Sequence, residues 1–534
     1  MFSKALTSLF AAWVVAGAAL AQVEEGGLGA VDPWGLGFLK SGEAAMPTNM
    51  WRASSAEDLL PLMANVRTSR LTPAERTILR RVVVSPAAKP RGDAAEKLLA
   101  ERARILFELG EAEAAAALYT ALDNVDGGDL DPRSIAVDLQ LALGNEADAC
   151  RNLLGIAKTG DFWIKLRAVC AVLKNDTRGA ELATELAQAE GVDDPWFFNA
   201  AFAASGDIPA KPEARFDSGL DLALSTKAGL EPPRNAIVSA RPDLAAAMAR
   251  RDSLAPELRV IAAGVSAEAG ILSADDHRSA YRALLAQDGF RPGNAVESAL
   301  IAGEDSGADA LEKARALSAA LRSGATDAAR YSAVSRLFLP LLDELPQSTD
   351  TARYAPEFTR AAIAAGDLSI AKTWALGVEV EGGPEADAFE QAYLDGLILM
   401  AGTEIDSASI RSVAERLVET ASDTTRKRAA ARMVALWTAL GHPLPLEARR
   451  LIAAQRDESG EALSTWDEVR LSAAAKAGAA GEVVIAILAA TRGEPGRINP
   501  AEMTLFLSAL GEIGAEDTAR QLALEATRYW RKTG

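Results

Sequence analysis

The chain has 534 residues, 56 of them Lys or Arg against 74 Asp or Glu, for a formal net charge of −18. That balance argues against nucleic acid as a ligand and against docking on anionic lipid, because both need cations concentrated on one face. Aromatic residues are only 5% while Ala is abundant, and Ala both favours helix and lets helices approach closely.

Taken in chain order, residues 1–21 read as a signal peptide. Lys4 precedes an apolar run from Ala5 to Leu20, which closes on the small-x-small pattern Ala19-Leu20-Ala21. Cleavage after Ala21 gives a mature start at Gln22 and a periplasmic or secreted protein, the alternative being an uncleaved N-terminal anchor. No later stretch reaches the ~18 uninterrupted apolar residues of a spanning helix, so no integral membrane span is expected in the mature chain. Residues 22–50 are Gly- and Pro-punctuated and are expected to be irregular.

Helical spacing begins after Trp51. A capping box is expected from Ser54 to Glu57, and Thr72-Pro73-Ala74-Glu75 combines a cap residue, Pro at the first helical position and Glu at the third. From there the chain alternates helical segments with short breaks. Pro- and Gly-rich joints near 205–216, 289–294 and 345–350 suggest an N-terminal helical-repeat block (51–205), a middle helical segment (206–345) and a C-terminal helical-repeat block (346–534). One continuous solenoid is the competing arrangement, since such stacks need no true boundary.

Cys150 and Cys170 are the only cysteines. They fall about ten residues either side of a loop centred near Gly160, so two antiparallel helices rising ~1.5 Å per residue would bring them to one height. A structural disulfide is therefore expected, the alternative being two reduced, buried thiols. A lone bridge without Cys-x-x-Cys does not suggest redox work.

The breaks repeat a pattern in which an apolar helix ends at Gly and a small residue follows five positions later. It occurs as Gly110 with Ala115, Gly144 with Ala149, Gly303 with Ala308, Gly366 with Ala371, Gly481 with Ala486, and Gly514 with Ala519. The glycine is expected to take the left-handed conformation that ends one helix, and the Ala to sit where two helices cross. Gly110, Ala115 and Tyr119 resemble the turn glycine, crossing residue and following aromatic of the tetratricopeptide repeat, and Gly144, Ala149 and Leu153 match less fully. The resemblance implies an all-α fold, a right-handed superhelical stack of antiparallel helix hairpins (a tetratricopeptide-like α-solenoid). It also implies a protein or peptide partner held in a concave groove, with no catalytic residue.

Chemistry-bearing patterns are sparse. His277 and His442 have no second ligand at metal spacing and are expected at the surface, so neither a metal site nor a cofactor is expected. Ser369-Ile370-Ala371-Lys372 has the Ser-x-x-Lys spacing of acyl-serine enzymes, but it overlaps a repeat turn. Glu297-Ser298 has the dipeptide of a transglycosylase without its Gly-rich sequel. The function expected is a non-catalytic interaction scaffold or adaptor of the cell envelope. The alternatives are a peptidoglycan-active enzyme on a helical superhelix and a structural subunit of an envelope secretion or motility complex.

Overall fold

The computed structural model describes residues 32–122, 132–153, 160–206, 211–230, 232–376, 387–403, 406–455 and 463–531. The expected signal sequence and the terminal Lys532-Thr533-Gly534 lie outside them. Among the described residues all regular structure is helical, apart from one isolated bridge between Ser55 and Arg91. No helix there is long and apolar enough to cross a membrane.

The chain opens with α1 (Ala56–Ala64), α2 (Pro73–Val84), α3 (Ala95–Glu108) and α4 (Ala112–Ala121). Next come α5 (Pro132–Ala142), α6 (Glu146–Arg151), α7 (Asp161–Leu173), α8 (Thr177–Ala189) and α9 (Pro195–Ser205). They are followed by α10 (Gly219–Lys227), α11 (Arg234–Val238), α12 (Pro242–Ala249), α13 (Pro256–Glu268) and α14 (Ala274–Leu285). The last half holds α15 (Ala295–Glu304), α16 (Ala310–Gly324), α17 (Ala328–Glu344), α18 (Thr349–Ala352), α19 (Ala355–Ala365), α20 (Leu368–Leu376) and α21 (Ala388–Ala401). It ends with α22 (Ser407–Thr420), α23 (Thr424–Ala439), α24 (Leu446–Ala453), α25 (Thr465–Lys476), α26 (Ala480–Thr491), α27 (Pro500–Glu512) and α28 (Glu516–Ala526).

Local signals explain where these helices start and stop. At α2 the expected box forms in full: the Thr72 hydroxyl accepts from Glu75 N–H, and the Glu75 carboxylate accepts from Thr72 N–H at 2.8 Å. At α1 the cap lies one residue later than expected. Ser55, not Ser54, accepts from Asp58 N–H at 3.2 Å, while Ser54 turns inward and is buried.

Hairpins α3–α4, α5–α6, α19–α20 and α27–α28 reverse at Gly110, Gly144, Gly366 and Gly514, all at positive φ. At the first, Glu111 N–H reaches Leu106 C=O at 2.9 Å and Gly110 N–H reaches Phe107 C=O at 3.0 Å, the paired bonds of a Schellman ending. Ala115, Ala149, Ala371 and Ala519 are all buried five residues on. Asn175 makes the same turn between α7 and α8, with φ 58 and the same bond pair, and Ala180 is buried five residues later.

Two of the six glycines do something else. Gly303 lies inside α15 and Gly481 inside α26, and the turn before α26 belongs to Gly478 (φ 69). A Cβ on Gly481 would stand 2.2 Å from the Trp51 ring, and one on Gly303 would stand 2.5 Å from Leu341. These glycines permit close approach rather than chain reversal.

The buried apolar side chains form two clusters. One runs through Val137–Ala280 with Ala333, and the other unites Trp34–Leu122 with Tyr281–Tyr529. In the second cluster the beginning of the helical chain therefore packs on its end: α1 contacts α26, and α2 contacts both α26 and α28. Gly481 N–H donates to Met50 C=O at 3.2 Å, Ala74 N–H to Glu525 Oε1 at 2.9 Å, and Arg470 Nη2 to Asp58 C=O at 3.3 Å. The Thr491 hydroxyl bonds the buried Glu75 carboxylate. Nearby, buried Arg102 ties residues 34–36 to the end of α2 by donating to Trp34, Leu36, Val83 and Ser85 carbonyls.

Two buried carboxylates at this junction make its stability depend on pH. Burial pushes Glu525 up to about 8 from an ordinary 4.5, with Glu75 beside it adding to the rise, and burial raises Glu75 as well. The folded protein thus keeps a proton that the unfolded chain releases. This contribution is complete below about pH 4.5 and is lost as pH rises through 8. Glu525→Gln should therefore be more stable than the parent at pH 8, by ~4 kcal/mol, with little difference at pH 4. Urea denaturation at the two pH values measures this. Equal gains at both would show that Glu525 does not hold the extra proton.

Candidate functional site

Cys150 at the end of α6 and Cys170 in α7 are joined by a disulfide, with Cα atoms 5.7 Å apart. The bridge ties α6 to the α7–α8 hairpin within the middle cluster. Twenty residues separate the cysteines, so closing the loop removes unfolded-chain entropy worth roughly 3 kcal/mol. Cys150→Ala combined with Cys170→Ala should lose about that amount in chemical denaturation. A loss under about 1 kcal/mol would mean that the bridge adds little beyond packing.

The expected chemical positions sort quickly. Ser369 and Lys372 are exposed on α20. Glu297 spends its carboxylate on capping α15, accepting from Gly293 N–H and Asn294 Nδ2, both at 2.6 Å. Among the described residues no three His, Cys, Asp or Glu side chains converge as metal ligands. His277 corrects the surface expectation. It shares the buried stripe of α14 with Ala280, Tyr281 and Leu284, and burial together with Arg336 and Arg278 lowers it to about 4. His442 is only half-buried. The turn and packing residues Gly110, Ala115, Gly144, Ala149, Gly366, Ala371, Gly514 and Ala519 are distributed along the chain and form no common site. Ala486 alone among the expected positions borders a cleft between the first and last helices.

Where the first helices meet the last, a cleft of about 470 Å³ opens between α1, the segment after it, and α25–α27. Leu62, Leu463, Leu471, Ala486 and Ile498 supply apolar walls. Its charged groups are Arg67 from the N-terminal side and Asp467, Arg470, Glu482, Arg492 and Glu502 from the C-terminal side. Most of the carboxylate capacity is already engaged. Glu482 pairs with Arg470 at 3.0 Å, and Asp467 accepts from Ser464 Oγ at 2.7 Å within the α25 cap.

Three side chains in the cleft have capacity left. Arg67 and Arg492 are exposed and have no carboxylate partner among the described residues. Glu502 is 4% exposed; one oxygen accepts from Leu463 N–H, whereas the buried Oε2 has no hydrogen-bond partner. Burial, with Glu468 nearby, raises Glu502 above the usual carboxylate range despite the Leu463 N–H. A buried acceptor left without a donor costs about 1–3 kcal/mol, so this atom is poised to gain from a ligand that brings one.

The backbone around Arg492 points to the same place. Thr491 is anchored to Glu75, and a Cβ on Gly493 (φ 82) would fall 1.9 Å from the Arg70 carbonyl oxygen. Held between these two fixed residues, Arg492 takes φ 50, a left-handed conformation that costs a non-glycine residue of order 1 kcal/mol. This turn places at the cleft a guanidinium with no carboxylate partner among the described residues. Sequence reasoning missed this site because its residues come from two distant stretches and share no motif; the one local clue was Arg492-Gly493 directly after an apolar helix.

No protein-family model matches the chain, and no curated protein or solved structure does so either.

Proposed function

We propose that the protein is an exported, non-catalytic scaffold of the cell envelope that binds a protein partner at the cleft between its first and last helices. The observation that carries this is the set of unspent groups in one cavity: Arg67, Arg492 and the buried Glu502 Oε2. They offer recognition chemistry: two cations and a buried acceptor. The same helix α25 that lines the cleft exposes Trp466 (81%) and Val469 (54%), an apolar surface beside a charged pocket, as at protein interfaces. The signal-like N-terminus and the disulfide support export, since bridges persist in oxidising compartments. The right-handed superhelical course of the hairpins belongs to the same proposal. Its support is the recurrence of left-handed turns followed by a buried Ala.

Affinity capture from an envelope fraction, followed by mass spectrometry, tests the proposal. The parent protein should retain a discrete partner that the Arg67→Glu, Arg492→Glu double variant loses. A partner retained equally by both proteins, or none retained by either, would contradict the cleft as the binding site.

A further inference from the structure

We infer that the cleft receives the free carboxyl terminus of a polypeptide. The inference rests on the binding role proposed above and goes further by naming the chemistry of what enters. Two guanidiniums supply the anion-binding side. A guanidinium fork matches a carboxylate in two parallel hydrogen bonds, and among the described residues Arg67 and Arg492 have no carboxylate to satisfy that geometry.

An anion alone does not account for the rest of the cavity. Glu502 Oε2 is a buried acceptor without a donor, so inorganic phosphate or sulfate placed beside it would meet an acceptor with another acceptor. The ligand has to carry an anionic group together with an N–H donor a short distance behind it. The end of a polypeptide has that order of groups: the terminal carboxylate, then backbone amides of the preceding residues.

Size and wall chemistry agree. A cavity of about 470 Å³ exceeds what one free amino acid fills and lies in the range of sites that enclose a small ligand. Leu62, Leu471, Ala486 and Ile498 offer apolar surface to the last side chains of an entering peptide. Captured chain termini are an established mode of peptide recognition. Trp466 and Val469, exposed on the same helix α25 that supplies Asp467, Arg470 and Leu471 to the cleft, offer further apolar surface to the chain that leads into it.

Arg492 supplies a clean test residue. At φ 50 glycine is the unstrained occupant, so Arg492→Gly removes the cation while favouring the same backbone. The experiment is equilibrium dialysis of the full-length exported protein against a randomised tetrapeptide mixture, prepared as the free acid and as the C-terminal amide. Retained peptides are quantified by mass spectrometry, and inorganic phosphate is run as competitor. The parent should retain free-acid peptides at least about tenfold better than amides, and Arg67→Ala with Arg492→Gly should remove the difference. Equal retention of acid and amide, retention unchanged in the double variant, or complete displacement by equimolar phosphate would overturn the inference. Partner capture that depends on the cleft arginines can survive any of these outcomes, so failure here is distinguishable from failure of the scaffold role.

Discussion

Gly493→Ala is expected to destabilise the protein by about 3 kcal/mol or more, from one added methyl group. Two effects combine at this position. The residue holds φ 82, which costs an alanine of order 1 kcal/mol. Its new Cβ would also stand 1.9 Å from the Arg70 carbonyl oxygen, an atom of the backbone that no rotamer change can move aside. Overpacking of a rigid neighbour typically adds about 1–3 kcal/mol. Gly144→Ala is the matching control, with φ 81 and nothing within 4 Å of where the added methyl would sit. It should cost only the conformational part, about 1 kcal/mol. Urea denaturation of both variants isolates the contact between the chain's two ends. Equal losses would mean that Gly493 and Arg70 do not touch in solution.

The second large effect concerns Arg360 in α19 and Glu390 in α21, which form an ion pair with both side chains at most a tenth exposed. The Glu390 carboxylate outweighs the burial penalty and keeps Arg360 firmly charged, with the rings of Tyr331 and Tyr393 nearby. Glu390→Ala leaves that charge without a counter-ion in a low-dielectric interior, and such losses run to about 3–5 kcal/mol. The pair itself is a different matter. Removing both charges together, as Arg360→Met with Glu390→Leu, should cost far less than the single change, because desolvation of two ions is avoided. A double-mutant cycle by chemical denaturation measures the coupling. If the single variant lost under about 1 kcal/mol, water would have to reach the stranded guanidinium.

The two substitutions probe features that differ in how they could be foreseen. Local chemistry was legible: Thr72-Pro73-Ala74-Glu75 forms its capping box, and Cys150 and Cys170 form the expected disulfide, although Cys150 closes the short α6 while Cys170 lies well inside α7. The all-helical class followed from periodic apolar spacing and abundant Ala. Glycine was read too narrowly. Gly303 and Gly481 sit inside helices because Leu341 and Trp51 press against them, and Asn175 makes a turn that a search for glycine passes over.

The junction of the chain's ends was not legible at all. Trp51 meeting Gly481, Glu75 meeting Thr491, and Ala74 meeting Glu525 are contacts over more than four hundred residues. Nothing in local periodicity records them. Glu75 illustrates the point: its spacing from Thr72 announced a cap, and it is one, yet its other oxygen binds the opposite end of the chain. The cleft inherits this opacity, since Arg67 and Arg492 acquire a shared role only once those ends have met. His277 was within reach, because its spacing to Ala280, Tyr281 and Leu284 is that of a buried stripe.

Hydrogen–deuterium exchange of the intact protein, with and without the free-acid tetrapeptide mixture, tests the central claim most directly. We expect slowed exchange confined to two distant segments, residues 61–70 and 463–502, appearing together and abolished by Arg67→Ala with Arg492→Gly. Protection in only one segment, protection elsewhere along the helical array, or no protection with free-acid peptides would contradict a recognition site formed by the meeting of the chain's two ends.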